Sequence, residues 1–213
     1  MPASAGRRGR RDRRGHLDRR PGALGQSQPG VRAADAHRLH PREVPGLKPV
    51  PGLRVFDDAA LERTLAAAAG SPRRRANLNV HPALDDPIQR MLNVFQPGTY
   101  VRPHRHAGAR FELFLALAGR AAVFTFDDAG AVAETAAIAP GGAWAVELPG
   151  ALWHTVVSLA PDTALFEVKP GPFRPLAGDD FAAWAPREGS AEAAALVRRW
   201  EEIAGASSTA PRC

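Results

Sequence analysis

The sequence predicts an all-β domain, an antiparallel sandwich or barrel, with a short helix before it and another after. Two observations carry the β assignment. From Ile88 to Lys169, turn signals recur about every ten residues: QPG at 96–98, HAGA at 106–109, AG at 118–119, DDAG at 127–130, APGG at 139–142, LPGA at 148–151 and APD at 160–162. The segments between them (RMLNVF, FELFLAL, AAVFTF, AVAETAAI, AWAVEL, WHTVVSL and ALFEVK) are short and apolar-rich. Evenly spaced short strands joined by Gly/Pro turns build sandwiches and barrels. A third observation removes a competitor: FELFLALAG has a helix-compatible composition, but nine residues between turn signals suit a strand buried on both faces.

The elements follow in order. Residues 1–50 are rich in Arg, Gly and Pro without apolar periodicity. Such a segment cannot bury enough surface to offset its ordering entropy, so a disordered basic extension is expected. Residues 1–42 hold eleven arginines against Asp12, Asp18 and Asp35, whereas residues 43–213 hold seventeen basic and nineteen acidic residues. The net charge of +6 therefore belongs to the extension and not to the domain. The extension reads as a solvated appendage or a start placed too far upstream; a transit-like peptide and a nucleic-acid-binding arm are the alternatives. The slightly acidic remainder, with no helix-turn-helix pattern, argues against nucleic acid as a partner.

The domain is expected over residues 51–205, followed by a flexible tail at 206–213. In DDAALERTLAAAAGSP, Asp57 and Asp58 are N-cap candidates, Leu61 and Leu65 lie four apart, and Gly70 sits where a helix C-terminus is expected. RANLNVHP then alternates as a strand, with Arg75, Asn77, Asn79 and His81 on one face and Ala76, Leu78 and Val80 on the other. A last helix is expected at about 190–204, with Ser190 as N-cap and Gly205 past its end. The one cysteine, Cys213, rules out an intramolecular disulfide. No apolar run reaches the roughly 18 residues of a membrane span, and the Arg-rich start lacks the apolar core of a secretory signal, so a cytoplasmic protein is expected.

The chemistry concentrates in PGTYVRPHRHAGARFELFLALAGR. Five residues separate Gly98 from His104, five separate His106 from Glu112, and six separate Glu112 from Gly119. Alternate residues of an extended chain project together, so His104 and His106 could share one ion. A hairpin through AGA is expected to return Glu112 beside them. A further ligand must come from a distant strand, and GGAWAVELPGALWHTVV offers His154, five residues after Pro149. The histidine pair alone equally fits two surface histidines in a basic patch.

This layout resembles the two signature motifs of the cupin superfamily, G-x5-H-x-H-x(3,4)-E-x6-G and G-x5-P-x-G-x2-H-x3-N. The resemblance implies a small antiparallel jelly-roll barrel with His104, His106, Glu112 and His154 as metal ligands. The 22 residues between Gly119 and Gly142 match compact single-domain bacterial cupins. Three departures stand out: the extra residue between His106 and Glu112, Ala151 at a position where glycine is usual, and Ser158 in place of the closing Asn. RRRANLNVH, DDPIQRMLNVFQPGTYVRPHRH, VELPGALWHTVV, LFEVKPGPF and DFAAWAPREGS further resemble the WbuC family of cupin fold metalloproteins, over about residues 54–200. Members of that family are often encoded among genes for surface-polysaccharide synthesis.

The resemblance implies one divalent transition metal, and an N/O donor set suits Fe, Mn, Ni, Zn or Co alike. Tyr100 and Arg102 share the parity of His104 and His106 and are expected to face the same cavity as substrate-binding residues, Arg102 against a carboxylate or phosphate. Asn79 and His81 are further substrate-binding candidates; a solvent-facing Asn79 and a hydrogen-bonded strand-end His81 are the alternatives. Glu167 and Lys169 read as a solvent pair or as groups supporting the ligands. The expected function is a metal-dependent enzyme acting on a small polar or anionic, sugar-related molecule. A non-catalytic metal- and ligand-binding accessory or sensor is the alternative. The partners expected are that small molecule and a second copy of the chain, with no membrane.

Overall fold

A computed structural model of the chain describes residues 52–108 and 110–207. The predicted extension at 1–50 and positions 208–213 of the predicted tail lie outside the described residues. The rest follows the expected order. Helix α1 (Asp58–Gly70) leads into β1 (Arg75–Asn79), β2 (Ile88–Phe95), β3 (Glu112–Ala118), β4 (Ala121–Phe126), β5 (Val132–Ile138), β6 (Ala145–Leu148), β7 (Trp153–Ser158) and β8 (Thr163–Pro170), and α2 (Ala191–Ser207) closes the domain. The strands pair antiparallel in two sheets, ordered β1-β2-β8-β3-β6 and β5-β4-β7. This is the predicted all-β fold with one helix on each side.

The helix starts obey their side chains. The Asp57 carboxylate accepts from the Ala60 N–H at 3.1 Å and the Ser190 hydroxyl from the Ala193 N–H at 3.1 Å, each satisfying a donor with no partner inside its helix. The helix ends differ from expectation. Gly70 is the last residue of α1, and extended Ser71 caps it through an N–H bond to the Ala68 carbonyl. Gly205 lies inside α2, which runs on to Ser207. Neither end uses a left-handed glycine.

Strand alternation splits the core into three layers. Between the sheets, Phe95, Phe114, Val123, Ile138, Leu148, Val156 and Leu165 pack together. On the outer face of the larger sheet, Leu92, Val94 and Ala164 meet Leu61, Leu65 and Ala68 of α1. On the outer face of the smaller one, Ala122, Phe124, Phe126 and Val157 meet Val197 and Trp200 of α2. On β2, Asn93 and Gln89 share the parity of inward-facing Phe95. The space between the sheets is thus apolar at one end and polar at the other, where the site lies.

Two turns set the strands that carry the site. Gly119 has φ +65°, and a Cβ there would lie 2.6 Å from the Thr163 hydroxyl and 2.7 Å from its Cα, so the turn between β3 and β4 needs glycine on both counts. At Ala151 an alanine takes φ +70°, the conformation glycine adopts freely, and its N–H donates to the His106 carbonyl at 3.2 Å. Ser158, at the other departure from the motif, donates its hydroxyl to the Ala160 carbonyl at 2.8 Å and ties off the end of β7. Among the described residues no helix is long and apolar enough to cross a membrane.

Candidate metal centre

His104, His106, Glu112 and His154 converge: one ligand atom from each lies within 4.8 Å of every other. Their routes to this point differ from the sequence expectation in one respect. The expected hairpin between the histidine pair and Glu112 does not form. His104 instead makes a narrow antiparallel pair with His154, exchanging N–H···O bonds of 3.1 and 2.9 Å, so the histidine pair continues the smaller sheet. Glu112 opens β3 in the larger sheet, opposite Leu148 of β6. The loop after His106 crosses between sheets, and the extra residue is absorbed there. The centre is therefore built across the barrel, from both walls.

The electrostatics of the cluster call for a cation. The Nδ1 atoms of His104 and His154 lie 3.0 and 2.9 Å from the carbonyl oxygens of Arg102 and Leu152. A carbonyl can only accept, so each Nδ1 carries a proton and each Nε2 is turned toward the cluster. His154 Nε2 then lies 2.8 Å from Glu112 Oε2, and His106 Nε2 lies 3.4 Å from the same oxygen. All three atoms are buried without a hydrogen-bond partner among the described residues. Lone pairs held this close out of water repel unless a positive charge sits among them. Burial, reinforced by the neighbouring His154, pushes the His104 imidazole down to about 3, which keeps it neutral and ready to ligate. Three imidazoles, two of them oriented by backbone carbonyls, together with one carboxylate fit a divalent transition metal.

Behind Glu112 stands a second polar layer. Lys169 donates to Glu112 Oε1 at 3.0 Å and pairs with Glu167 at 2.6 Å, while the Asn93 amide donates to Glu167. Burial alone would raise the Glu112 carboxyl, but the Lys169 ammonium outweighs it and holds the group well below the usual carboxylate range. Glu167 is pushed up to about 8, by burial first and then by the Glu112 charge. Burial would lower Lys169, but the two carboxylates outweigh it and raise the ammonium above its ordinary value.

The other expected site residues are not brought to the cluster. Tyr100 is buried against α2, its hydroxyl donating to the Pro186 carbonyl at 2.9 Å, and burial raises the phenol to about 12. Arg102 donates to the Ala185 and Ala182 carbonyls and lies over the Phe181 ring, 4.8 Å from its centroid. Parity fails because residues 100–106 form no continuous ladder: the side chains of Tyr100 and Arg102 bond to residues 182–186, and the backbone pairs with β7 only at His104. Asn79 is exposed and accepts from the Asn77 amide. His81 is buried at the end of β1 with Nδ1 2.9 Å from the Arg90 carbonyl. A cavity of about 130 Å³ opens beside His104 and His106 and is lined also by Gln89, Arg110, Lys169, Pro172, Phe173 and Arg174. Gln89, Arg110 and Arg174 were not singled out by the sequence; the polar, inward parity that Gln89 shares with Asn93 on β2 is the signal that could have found Gln89.

A family model described as a domain of unknown function (DUF6016) matches residues 56–138, less than half of the chain. No curated protein matches. Solved structures that the chain resembles include cupins. KdgF from Halomonas sp. shares 21% identity over 49% of this chain and 84% of its own, with a TM-score of 0.39. A cupin superfamily protein from Desulfitobacterium hafniense shares 17% over 45% and 76%, with a TM-score of 0.36. TT1209 from Thermus thermophilus shares 24% over 55% and 97%, with a TM-score of 0.42.

Proposed function

We propose that the chain is a mononuclear metal-binding cupin whose cavity takes a small polar or anionic molecule against the metal. The observation that carries this reading is the buried meeting of His106 Nε2, His154 Nε2 and Glu112 Oε2 without a partner. A bound Fe, Mn, Ni, Zn or Co ion would be held by His104, His106, Glu112 and His154 and would supply Lewis acidity toward a carbonyl or hydroxyl. The chain's own residues do the rest. Lys169 fixes the Glu112 carboxylate from behind, the Arg102 and Leu152 carbonyls fix two imidazoles, and Arg110 adds a positive charge to the cavity lining. The cavity is well below the roughly 300–1,000 Å³ of drug-sized sites, which favours a short anion or one substituent of a larger sugar-derived molecule. The WbuC resemblance points the same way, toward surface-polysaccharide biosynthesis in the cytoplasm.

Elemental analysis of the purified protein tests the reading, with about one transition-metal ion per chain expected and a metal-free, correctly folded protein against it. A second reading, binding without catalysis, is favoured by one feature. Glu112 of the cluster and Glu167 behind it are both tied to Lys169, and neither is free to act as a base in the cavity. An ion with open coordination positions that turns over a substrate supports the enzyme, and a closed tetrahedral zinc supports the binding protein. The proposed working form is a homodimer; a monomer mass by light scattering would overturn that part.

A further inference from the structure

Gln89 is 1% exposed, lies on the inward parity of β2, and lines the cavity beside His104 and His106. Its amide orientation is fixed by its surroundings. Nε2 donates to the Leu84 carbonyl at 3.2 Å and to the Asp86 carbonyl at 2.9 Å, and only an NH₂ can face two acceptors. The chain is built to hold it so. Gly171 passes so close that a Cβ there would lie 2.9 Å from Nε2, and the Phe173 N–H donates to the same Leu84 carbonyl at 2.7 Å. With both donor hydrogens consumed, Oε1 is left buried and without a hydrogen-bond partner. A buried carbonyl oxygen without a donor is costly, and a ligand that brings the donor removes the cost.

The rest of the lining says which donor. Of the cations in the lining, Lys169 is taken up by Glu112 and Glu167 and Arg174 by Asp180, so among the described residues Arg110 is the one left to attract an anion and repel an ammonium. Among the described residues Arg110 reaches only the Pro172 carbonyl, at 3.4 Å, so it has donors to spare. A hydroxyl is the neutral donor that can accompany an anionic group in so small a space. We infer that Gln89 is a specificity residue: its Oε1 accepts from a hydroxyl of the ligand, and the cavity selects small hydroxylated anions over their deoxy counterparts. This rests on the proposed small-anion reading of the cavity and adds the group that discriminates within that class.

The test is calorimetric titration of the metal-loaded protein with lactate, propionate and 2-fluoropropionate, the last matching lactate in shape but lacking the donor. Lactate should bind roughly tenfold more tightly than either, about the worth of one hydrogen bond to a buried acceptor. In Gln89→Leu the three acids should bind alike, with propionate affinity kept. Because Gln89→Leu also frees two loop carbonyls and could fail to fold, the lactate and 2-fluoropropionate comparison is repeated on the unaltered protein without metal, where the hydroxyl has no ion to chelate. Equal affinities there overturn the inference, as does a lactate preference that persists in Gln89→Leu. Binding of none of the three acids overturns the small-anion reading itself, so the two failures are told apart.

Discussion

Lys169→Met is expected to lower folding stability by about 3–5 kcal/mol, read from denaturant unfolding of the metal-free protein. The size follows from what the ammonium holds. Glu112 and Glu167 are 3% and 6% exposed and share Lys169 at 3.0 and 2.6 Å. Removing it leaves the buried Glu112 carboxylate with no cation beside it and Glu167 packed against it, and a lone buried charge costs far more than the pair contributed. The exposed Arg174–Asp180 pair supplies the contrast at a similar bond length, 2.9 Å, with the arginine half in solvent. Arg174→Ala should cost no more than about 1 kcal/mol, since water replaces most of what an exposed pair provides. Equal losses from the two variants would mean that the polar layer behind Glu112 is wetter than its burial indicates.

Trp200→Ala should cost about 3–5 kcal/mol, the usual range for emptying a buried aromatic site. Trp200 is 3% exposed and stacks on Tyr100 at 6.1 Å and 7°, with Phe126 at 5.4 Å and Phe124 at 6.2 Å. The loss should be global rather than local to the site. Tyr100 and Arg102 are still tied to residues 182–186 by hydrogen bonds, Pro103 and Arg105 to Ala182 and Asp180, and His104 to His154. The variant should therefore melt earlier in a thermal scan yet hold the same metal per chain well below its transition. A metal-free but folded Trp200→Ala protein would show that α2 positions the ligands directly.

The strands were legible because each is a short apolar run between Gly, Pro and Asp turns, and each predicted segment coincides with one strand of the barrel. Asp57 and Ser190 marked helix starts because capping is local chemistry. Helix ends were not legible at Gly70 and Gly205, since glycine permits a left-handed stop without imposing one. The four clustered residues were named from their spacing together with the motif resemblance, yet how they meet was not. A hairpin and a crossing loop have the same local sequence, and only the His104–His154 pairing across sheets decides between them. Tyr100 and Arg102 went astray for the same reason: parity holds only along a continuous ladder, and Pro103 interrupts one. Gln89 emerges only once the register Gln89–Lys169 places β2 beside β8 and Gly171 beside its amide.

The central claim is that one ion belongs among His104, His106, Glu112 and His154. The most direct measurement is metal stoichiometry and affinity, by elemental analysis and competition titration, for the unaltered protein against His104→Ala and His154→Ala. Circular dichroism confirms that each variant is folded. The unaltered chain should hold about one ion, and each variant should lose at least the roughly 10–100-fold in affinity that even outer-layer changes cost a metal site. Folded variants that bind metal as tightly as the unaltered protein would contradict the account.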